Sequence, residues 1–262
     1  MQSNNLLELA GAISSGAVRV VDLTFTLSPD FPVIVLPPEF GQAAPVRIQE
    51  ISRYDGRGPA WYWNNVTFGE HTGTHFDAPI HWFTGKNLPN NAVDTMPAKD
   101  MIAPACVIDC SAQAAQDPDF LLTVPLVEAW EAKHGRIPER NWVLLRTDWS
   151  KKGWRDYSNL RDDGAHTPGP NPDVMKWLVE ERGVIGFGTE TIGTDARAGR
   201  PFRAALSGAS LPARRGSLRP AMPVQPGSAS RHRGCHRRLA AEDPERLRQS
   251  ASRHRAGFVN LN

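Results

Sequence analysis

Residues 71–81 of this chain read His71-Thr-Gly-Thr-His75-Phe-Asp77-Ala-Pro-Ile-His81. Neutral imidazoles together with a carboxylate are the ligands that divalent zinc or manganese prefers. In an extended segment His75 and Asp77 point to the same side, because side chains alternate along the backbone. The small residues between the first two histidines allow the backbone to fold closely around an ion. A single histidine is more often a packed or surface residue, but this pattern favours a metal site.

The string HTGTHFDAPIH closely resembles the HxGTHxDxPxH signature of the cyclase family of metal-dependent hydrolases, which includes kynurenine formamidases and isatin hydrolases. The resemblance begins near Val20, continues through RTDW at Arg146–Trp149 and GFGTETIGTDA at Gly186–Ala196, and then stops. It implies an α/β fold of the swivelling β/β/α type, with a mixed, β-barrel-like sheet and flanking helices. It also implies a homo-oligomer and a place in tryptophan catabolism.

The resemblance assigns roles to the motif. His71, His75 and Asp77 match the family's metal ligands, with Asp77 bridging the ions if there are two, and His81 matches the catalytic acid/base. The expected cofactor is one or two divalent ions, zinc or manganese. A bound ion lowers the pKa of water from about 15.7 toward about 7, and a nearby imidazole can transfer the proton. The expected reaction is hydrolysis of an amide C–N bond in a linear formamide or a cyclic amide.

The chain also departs from the family in its expected substrate contacts. Kynurenine formamidases carry a substrate-contacting tryptophan in a segment that here reads FPVIVLPPE, Phe31–Glu39, without one. N-formylkynurenine is therefore disfavoured, and another small, aromatic amide or lactam is expected. Phe31, Trp63 and Trp82 are the candidate substrate contacts. For the tryptophans near the motif, packing in the core is an equally open alternative.

The charge of the chain changes abruptly after Ala196. The first 196 residues carry 16 basic and 25 acidic side chains, whereas residues 197–262 carry 14 arginines and three acids. All eight tryptophans, all three tyrosines and every lysine precede Arg197. The chain therefore divides into a hydrolase domain, 1–196, and an Arg/Pro/Ala-rich tail, 197–262. A basic arm that binds nucleic acid is one interpretation of the tail.

Out-of-frame translation is the interpretation of the tail that we favour. The family completes its site with a histidine and, twelve residues later, a glutamate or glutamine, and the tail as written offers no such pair. Back-translation of residues 202–259 with free codon choice, read one nucleotide later, gives a family-like run containing AHHYLHGAGRYGLQ and then a stop. Its histidine overlaps Ala209–Ser210 and its glutamine overlaps Ala221–Met222. On this hypothesis the chain as written is an incomplete hydrolase with little activity.

The remaining patterns indicate alternating strands and helices. Strands are predicted at 18–27, 45–52, 60–70, 105–110, 142–147 and 184–188, and helices at 6–13, 123–134 and 172–182. Cys106 and Cys110 are predicted to be buried thiols. His166 is a candidate for the pocket rim, and Glu190 and Asp195 are either supporting groups of the site or turn residues. With neither a signal sequence nor a membrane span, a cytoplasmic protein acting on a small molecule is expected.

Overall fold

The structure, a computed structural model, describes residues 2–36, 38–194 and 196. The helices in these ranges are α1 (Gln2–Ser14), α2 (Ser111–Gln116), α3 (Val124–His134), α4 (Trp154–Tyr157) and α5 (Pro172–Arg182). The strands are β1 (Arg47–Asp55), β2 (Gly58–Thr67), β3 (Ala105–Asp109), β4 (Leu121–Leu122), β5 (Trp142–Arg146), β6 (Leu160–Arg161), β7 (Gly164–Ala165), β8 (Gly169–Pro170) and β9 (Gly186–Gly188). The predicted tail, 197–262, lies outside the described residues.

A parallel sheet in the order β3-β5-β9 forms the centre of the fold. Strands β1 and β2 form a separate antiparallel ribbon, and β4-β8 and β6-β7 are short pairs. The predicted α/β class is confirmed, and none of these sheets closes into a barrel within the described part of the chain. Nor does that part contain a helix long and apolar enough to cross a membrane.

The main hydrophobic core lies between the parallel sheet and helices α3 and α5. Short apolar strands such as β5 are buried on both faces, as parallel strands usually are. The core side chains include Cys106, Ile108, Leu122, Val127, Val143, Leu145, Val174, Leu178 and Phe187. The burial predicted for both cysteines is thus confirmed, since Cys110 also belongs to this core.

Helix α5 shows how the sequence sets an element's ends. The Asn171 side chain accepts a hydrogen bond from the Asp173 amide, and Pro172 occupies the first turn, where no amide donor is needed. Gly183 ends the helix in the left-handed conformation, with φ of 61°. The partly buried ion pair between Arg182 and Glu131, 2.8 Å from Nε to Oε1, joins α5 to α3.

A second, aromatic cluster lies beneath the histidine motif. Phe25, Phe31, Val46, Trp149 and Tyr157 are all buried, and the Phe25 ring meets Phe31 at a tilt and Tyr157 edge-on. Such clusters resist deformation because protein interiors are closely packed. It forms a firm platform for the segment that carries the predicted ligands.

One predicted strand is wrong. Residues 18–27 adopt an extended path without any strand partner among the described residues. Their amides bond to side chains instead: Thr74 Oγ1 accepts from the Phe25 amide at 2.9 Å, and the Asp22 carboxylate accepts from the amide and hydroxyl of Thr24. These bonds to side chains take the place of a sheet ladder, which is why β-branched residues alone did not produce a strand. The other predicted strands and the three helices are confirmed within a few residues at each end.

Candidate metal centre

The motif folds as an irregular turn directly after β2. Gly73 has φ of 72°, a conformation that side chains rarely adopt, and a Cβ atom there would lie 2.6 Å from Leu27 Cδ2. Its carbonyl oxygen lies 2.8 Å from His75 Nδ1 and orients that ring. The Thr74 hydroxyl ties the turn to Phe25 of the aromatic platform. Glycine and threonine in the motif therefore shape the turn that presents His71 and His75.

The motif's end is folded back by a single helical turn. Pro79–His81 forms a 3₁₀ turn with proline at its start, which returns His81 toward the first histidine. The rings of His71 and His81 are 3.8 Å apart between centroids. A Cβ atom at Gly85 would lie 1.9 Å from the Pro79 carbonyl oxygen, so only glycine allows the following turn to pack here.

All four predicted residues meet around the Asp77 carboxylate. His71 Nδ1 lies 2.6 Å and His75 Nε2 lies 3.2 Å from Asp77 Oδ1, and His81 Nε2 lies 4.0 Å from Oδ2. One ligand atom each from His71, Asp77 and His81 lies within 4.8 Å of the other two. His81, predicted as the acid/base, therefore lies as near to the carboxylate as a ligand would, while His75 approaches it from the Gly73 turn.

The electrostatics of the cluster favour a cation. Burial raises the pKa of Asp77, but hydrogen bonds from His71 and His75 and the charge of His81 outweigh this and hold the pKa well below its usual range. The hydrogen bond to Asp77 raises the pKa of His71. Burial lowers the pKa of His81 despite the nearby carboxylate. A neutral imidazole at His81 and an ionised Asp77 follow near pH 7.

The residues present fit a divalent ion. Asp77 is only 4% exposed, and within the described residues no lysine or arginine lies within ion-pair distance of it. Buried carboxylates are normally paired or bound to a metal, because desolvation of an isolated charge is costly. The groups that surround this carboxylate are imidazoles, which bind zinc and manganese as readily as they donate hydrogen bonds. Residues His71, His75 and Asp77 thus make a suitable donor set, with His81 beside them.

The candidate substrate contacts lie in three different environments. The Trp82 ring packs edge-on against His81, with 4.6 Å between centroids, so it borders the cluster. Phe31 is buried in the aromatic platform, where its Cζ would lie 4.0 Å from a Cβ atom at Gly73. Trp63 is 54% exposed on β2, and no described contact joins it to the histidines.

Two other candidates have structural partners. His166 is buried between Asp119, 2.8 Å from Nδ1, and Asp163, 2.9 Å from Nε2. Hydrogen bonds to these two carboxylates raise its pKa. Its ring nitrogens are thus occupied by ion pairs rather than directed at the metal centre. Asp195 lies outside the described residues.

Sequence reasoning left the role of Glu190 open, and the structure gives it one. Its Oε1 accepts hydrogen bonds from the amides of Thr147 and Asp148, at 2.9 and 3.2 Å, and its Oε2 accepts from Ser150 at 3.0 Å. The Tyr157 hydroxyl donates to the Glu190 carbonyl. Asp148 has φ of 56°, so this carboxylate holds a strained turn in place. The buried Glu190 therefore holds this turn in place. The sequence indicated this role only through an acidic residue within the segment GTET.

The comparisons with known proteins settle the family. The Cyclase family model, described as "Putative cyclase", matches residues 21–196. The chain belongs to the cyclase family. It is 46% identical over 200 residues to isatin hydrolase from Roseibium aggregatum, with 75% of this chain and 76% of that protein aligned. The predictions of the family and of a hydrolase are thereby confirmed.

Solved structures of similar proteins extend the match to the fold. Isatin hydrolase A from Labrenzia aggregata, bound to benzyl benzoate, superposes with a TM-score of 0.79 at 53% identity, covering 84% of this chain and 86% of that one. An isatin hydrolase bound to the product analogue thioisatinate superposes with a TM-score of 0.79 at 41% identity, covering 86% of each chain. The predicted fold class is that of these relatives.

Proposed function

We propose that this chain is built to hydrolyse the amide bond of a small aromatic lactam of the isatin type, using a divalent metal. The observation that carries the proposal is the buried Asp77 carboxylate surrounded by three histidines. Its relatives at 46% and 53% identity are isatin hydrolases, and a third isatin hydrolase, at 41% identity, is bound to the product analogue thioisatinate. These names favour a cyclic amide over N-formylkynurenine.

The residues have distinct tasks in this reaction. His71, His75 and Asp77 would hold the ion, as the family signature implies. When bound, a divalent ion supplies Lewis acidity, which polarises the amide carbonyl and makes water a stronger acid. His81, whose lowered pKa leaves it neutral near pH 7, accepts a proton from the attacking water and returns it to the leaving nitrogen. The ring C–N bond breaks, and the lactam opens to a single product that carries both a carboxylate and an aromatic amine.

Trp82 is the substrate contact that we propose first. Its ring lies against His81, and it can stack on a planar ring held beside the proton-transfer group. Phe31 supports the site from beneath through the aromatic platform. A planar bicyclic amide therefore suits this surface better than a flexible chain.

Ring opening of isatin, followed by absorbance, tests the proposal. In the chain with the reading frame restored after Ala196, activity should disappear when divalent metal is removed with a chelator and return when manganese or zinc is added. Asp77→Asn and His81→Ala should each reduce the rate at saturating metal by about 10²-fold or more. His134→Ala, which changes a histidine at the end of α3, is the matched control and should leave the rate unchanged. Metal-independent ring opening, or full activity of Asp77→Asn, would refute it.

We further propose that residues 197–262 are an out-of-frame translation. The family match ends at Ala196, where the composition of the chain changes. On this proposal the chain as written lacks the C-terminal histidine and glutamine of the site, so it binds metal weakly and hydrolyses little. Nucleotide sequencing across codons 190–262, checked against the intact mass of the expressed protein, decides it. A confirmed frame with a matching mass would refute it.

Three finer properties are part of the same proposal. Either zinc or manganese, as one ion or two, suits the mixed imidazole and carboxylate donor set. A homo-oligomer is proposed from the resemblance to the family, and a cytoplasmic location is proposed with it. Metal analysis of the purified protein distinguishes the two ions.

A further inference from the structure

Glu190 is a buried acid that is held by backbone amides. The residue is 1% exposed, and its carboxylate accepts hydrogen bonds from three amides of the turn 147–150. Arg146 lies near it but pairs with Asp109 and Asp148 instead. Burial raises the pKa of Glu190, and the three amides oppose this because they favour the ionised form. The carboxylate and the turn therefore depend on each other for their positions.

The same residue fixes two aromatic rings. Trp149, inside the turn, is 1% exposed, and its Nε1 donates a hydrogen bond to the Tyr157 carbonyl oxygen at 2.8 Å. The Tyr157 hydroxyl in turn donates to the Glu190 carbonyl oxygen. Glu190 thus holds Trp149 through its carboxylate and Tyr157 through its backbone. Neither ring can shift far, because protein interiors are closely packed.

The two rings connect this acid to the histidine turn. The Tyr157 ring meets the Phe25 ring edge-on, with 5.8 Å between centroids. The Phe25 amide donates a hydrogen bond to the Thr74 hydroxyl, inside the histidine motif, at 2.9 Å. Leu27 packs on the same aromatic platform and limits the space at Gly73, where an added Cβ atom would lie 2.6 Å from it. Each step from the acid to the histidine turn is therefore a direct contact.

Glu131 is a similar carboxylate in a different part of the fold. Its Oε1 accepts hydrogen bonds from the Ile137 amide at 2.9 Å and from Arg182 Nε at 2.8 Å. Ile137 belongs to the main core beside α3 and α5, whereas the aromatic platform is a separate cluster. Loss of the Glu131 charge should therefore loosen the main core and leave the histidine turn in place. Comparison of the two acids separates general stability from the position of the turn.

We propose that Glu190 is a positioning residue of the metal centre. Its carboxylate fixes the turn at Trp149. Through the rings of Tyr157 and Phe25 it holds the histidine turn at Thr74. The proposal rests on the proposed function where it names a metal centre, but the contacts themselves need neither metal nor substrate. Groups that orient metal ligands typically change metal affinity about 10- to 100-fold when they are lost.

Amide hydrogen exchange of the full chain, followed by NMR without metal, tests the coupling. In each protein the slowest amides of the main core report global unfolding, and the Phe25 amide reports local opening at the histidine turn. Glu190→Gln turns an NH₂ group toward one of the donating amides, so the Phe25 amide should exchange at least ~10-fold faster relative to the core amides. Glu131→Gln is the matched control and should leave that ratio unchanged. An unchanged ratio in Glu190→Gln, or an equal rise in Glu131→Gln, would overturn the proposal.

Tyr157→Phe keeps the test decisive if Glu190→Gln fails to fold. This change removes only the hydroxyl that donates to the Glu190 carbonyl oxygen and keeps a ring in the aromatic platform. The Phe25 amide should again exchange faster relative to the core amides, by about 3-fold or more, because one hydrogen bond of the connection is lost. Exchange equal to that of the wild type would overturn the connection and the proposal with it.

Calorimetric titration of manganese into the chain with the reading frame restored after Ala196 adds a measurement at the site itself. Glu190→Gln should weaken manganese binding about 10- to 100-fold, whereas Glu131→Gln should not. Unchanged affinity in Glu190→Gln would overturn the positioning role alone. A restored wild type that binds no manganese would instead overturn the proposed metal-dependent function, and this proposal with it.

Discussion

Replacing Gly73 with alanine tests whether the shape of the histidine turn depends on the platform beneath it. Gly73 lies between His71 and His75 with φ of 72°, and its added Cβ would lie 2.6 Å from Leu27 Cδ2. Leu27 packs on the aromatic cluster, so it has little room to move away. The substitution therefore adds both backbone strain and a steric clash.

The two costs can be separated. A left-handed backbone costs an alanine roughly 1–2 kcal/mol, and overpacking a filled core costs roughly 1–3 kcal/mol more. Gly73→Ala should lower the free energy of unfolding by about 2–5 kcal/mol. Gly16→Ala is the matched control, because Gly16 has φ of 77° but nothing within 4 Å of its added Cβ. Gly16→Ala should lower the free energy of unfolding only by the cost of the left-handed backbone, about 1–2 kcal/mol.

Urea unfolding of the two variants measures the difference, and calorimetric titration of manganese measures its effect on the site. In the chain with the restored reading frame, Gly73→Ala should weaken manganese binding about 10- to 100-fold, as disturbed supporting groups do, whereas Gly16→Ala should not. Adding Leu27→Ala to Gly73→Ala should remove the clash, leaving a smaller penalty than the sum of the two single changes. Equal costs for the two glycines, with unchanged manganese affinity, would refute the dependence of the turn on the platform.

Three further changes have defined outcomes. Glu190→Gln should lower the free energy of unfolding by about 1–3 kcal/mol, since its new amide NH₂ would face the donating backbone amide of Ser150. An unchanged urea midpoint would count against the role of Glu190 in holding the turn. His166 has a raised pKa, so its ion pairs stabilise the fold fully below its ordinary pKa of 6.5, and this stability is lost as the pH rises through the raised value. Urea unfolding of the wild type between about pH 5 and pH 9 should show this loss, and His166→Gln should not. The same pH dependence of stability in both proteins would disprove it. In the chain with the restored reading frame, Trp82→Ala should raise KM for isatin about 2- to 10-fold with a smaller change in kcat, from the loss of one aromatic contact. An unchanged KM would exclude stacking.

The parts of the fold that local sequence determines were predictable. Strands β3 and β5 are short, continuous apolar runs, and α5 carries its own capping signals at Asn171 and Gly183. The four residues of the metal centre lie within eleven positions, so a single turn brings them together without any long-range contact. Sequence reasoning therefore identified the sheet and the four residues that the structure brings together, whereas their roles at a metal stay a prediction.

Features that depend on distant contacts were not predictable from the sequence. The segment 18–27 has strand-like composition, but its Phe25 amide bonds to Thr74, 49 residues away. Glu190 anchors a turn 40 residues earlier in the chain, at Ser150. Residue type alone does not reveal either partner, because side chain–backbone bonds across such distances follow from packing.

The most direct test of the account compares isatin hydrolysis by the chain as written with hydrolysis by the same chain carrying the restored reading frame after Ala196, each loaded with manganese or zinc. The account predicts metal-dependent ring opening by the restored chain and a rate at least ~10²-fold lower for the chain as written. A metal site that lacks the C-terminal histidine and glutamine holds the ion poorly. A restored chain that leaves isatin intact with either metal, or equal rates for the two chains, would contradict it.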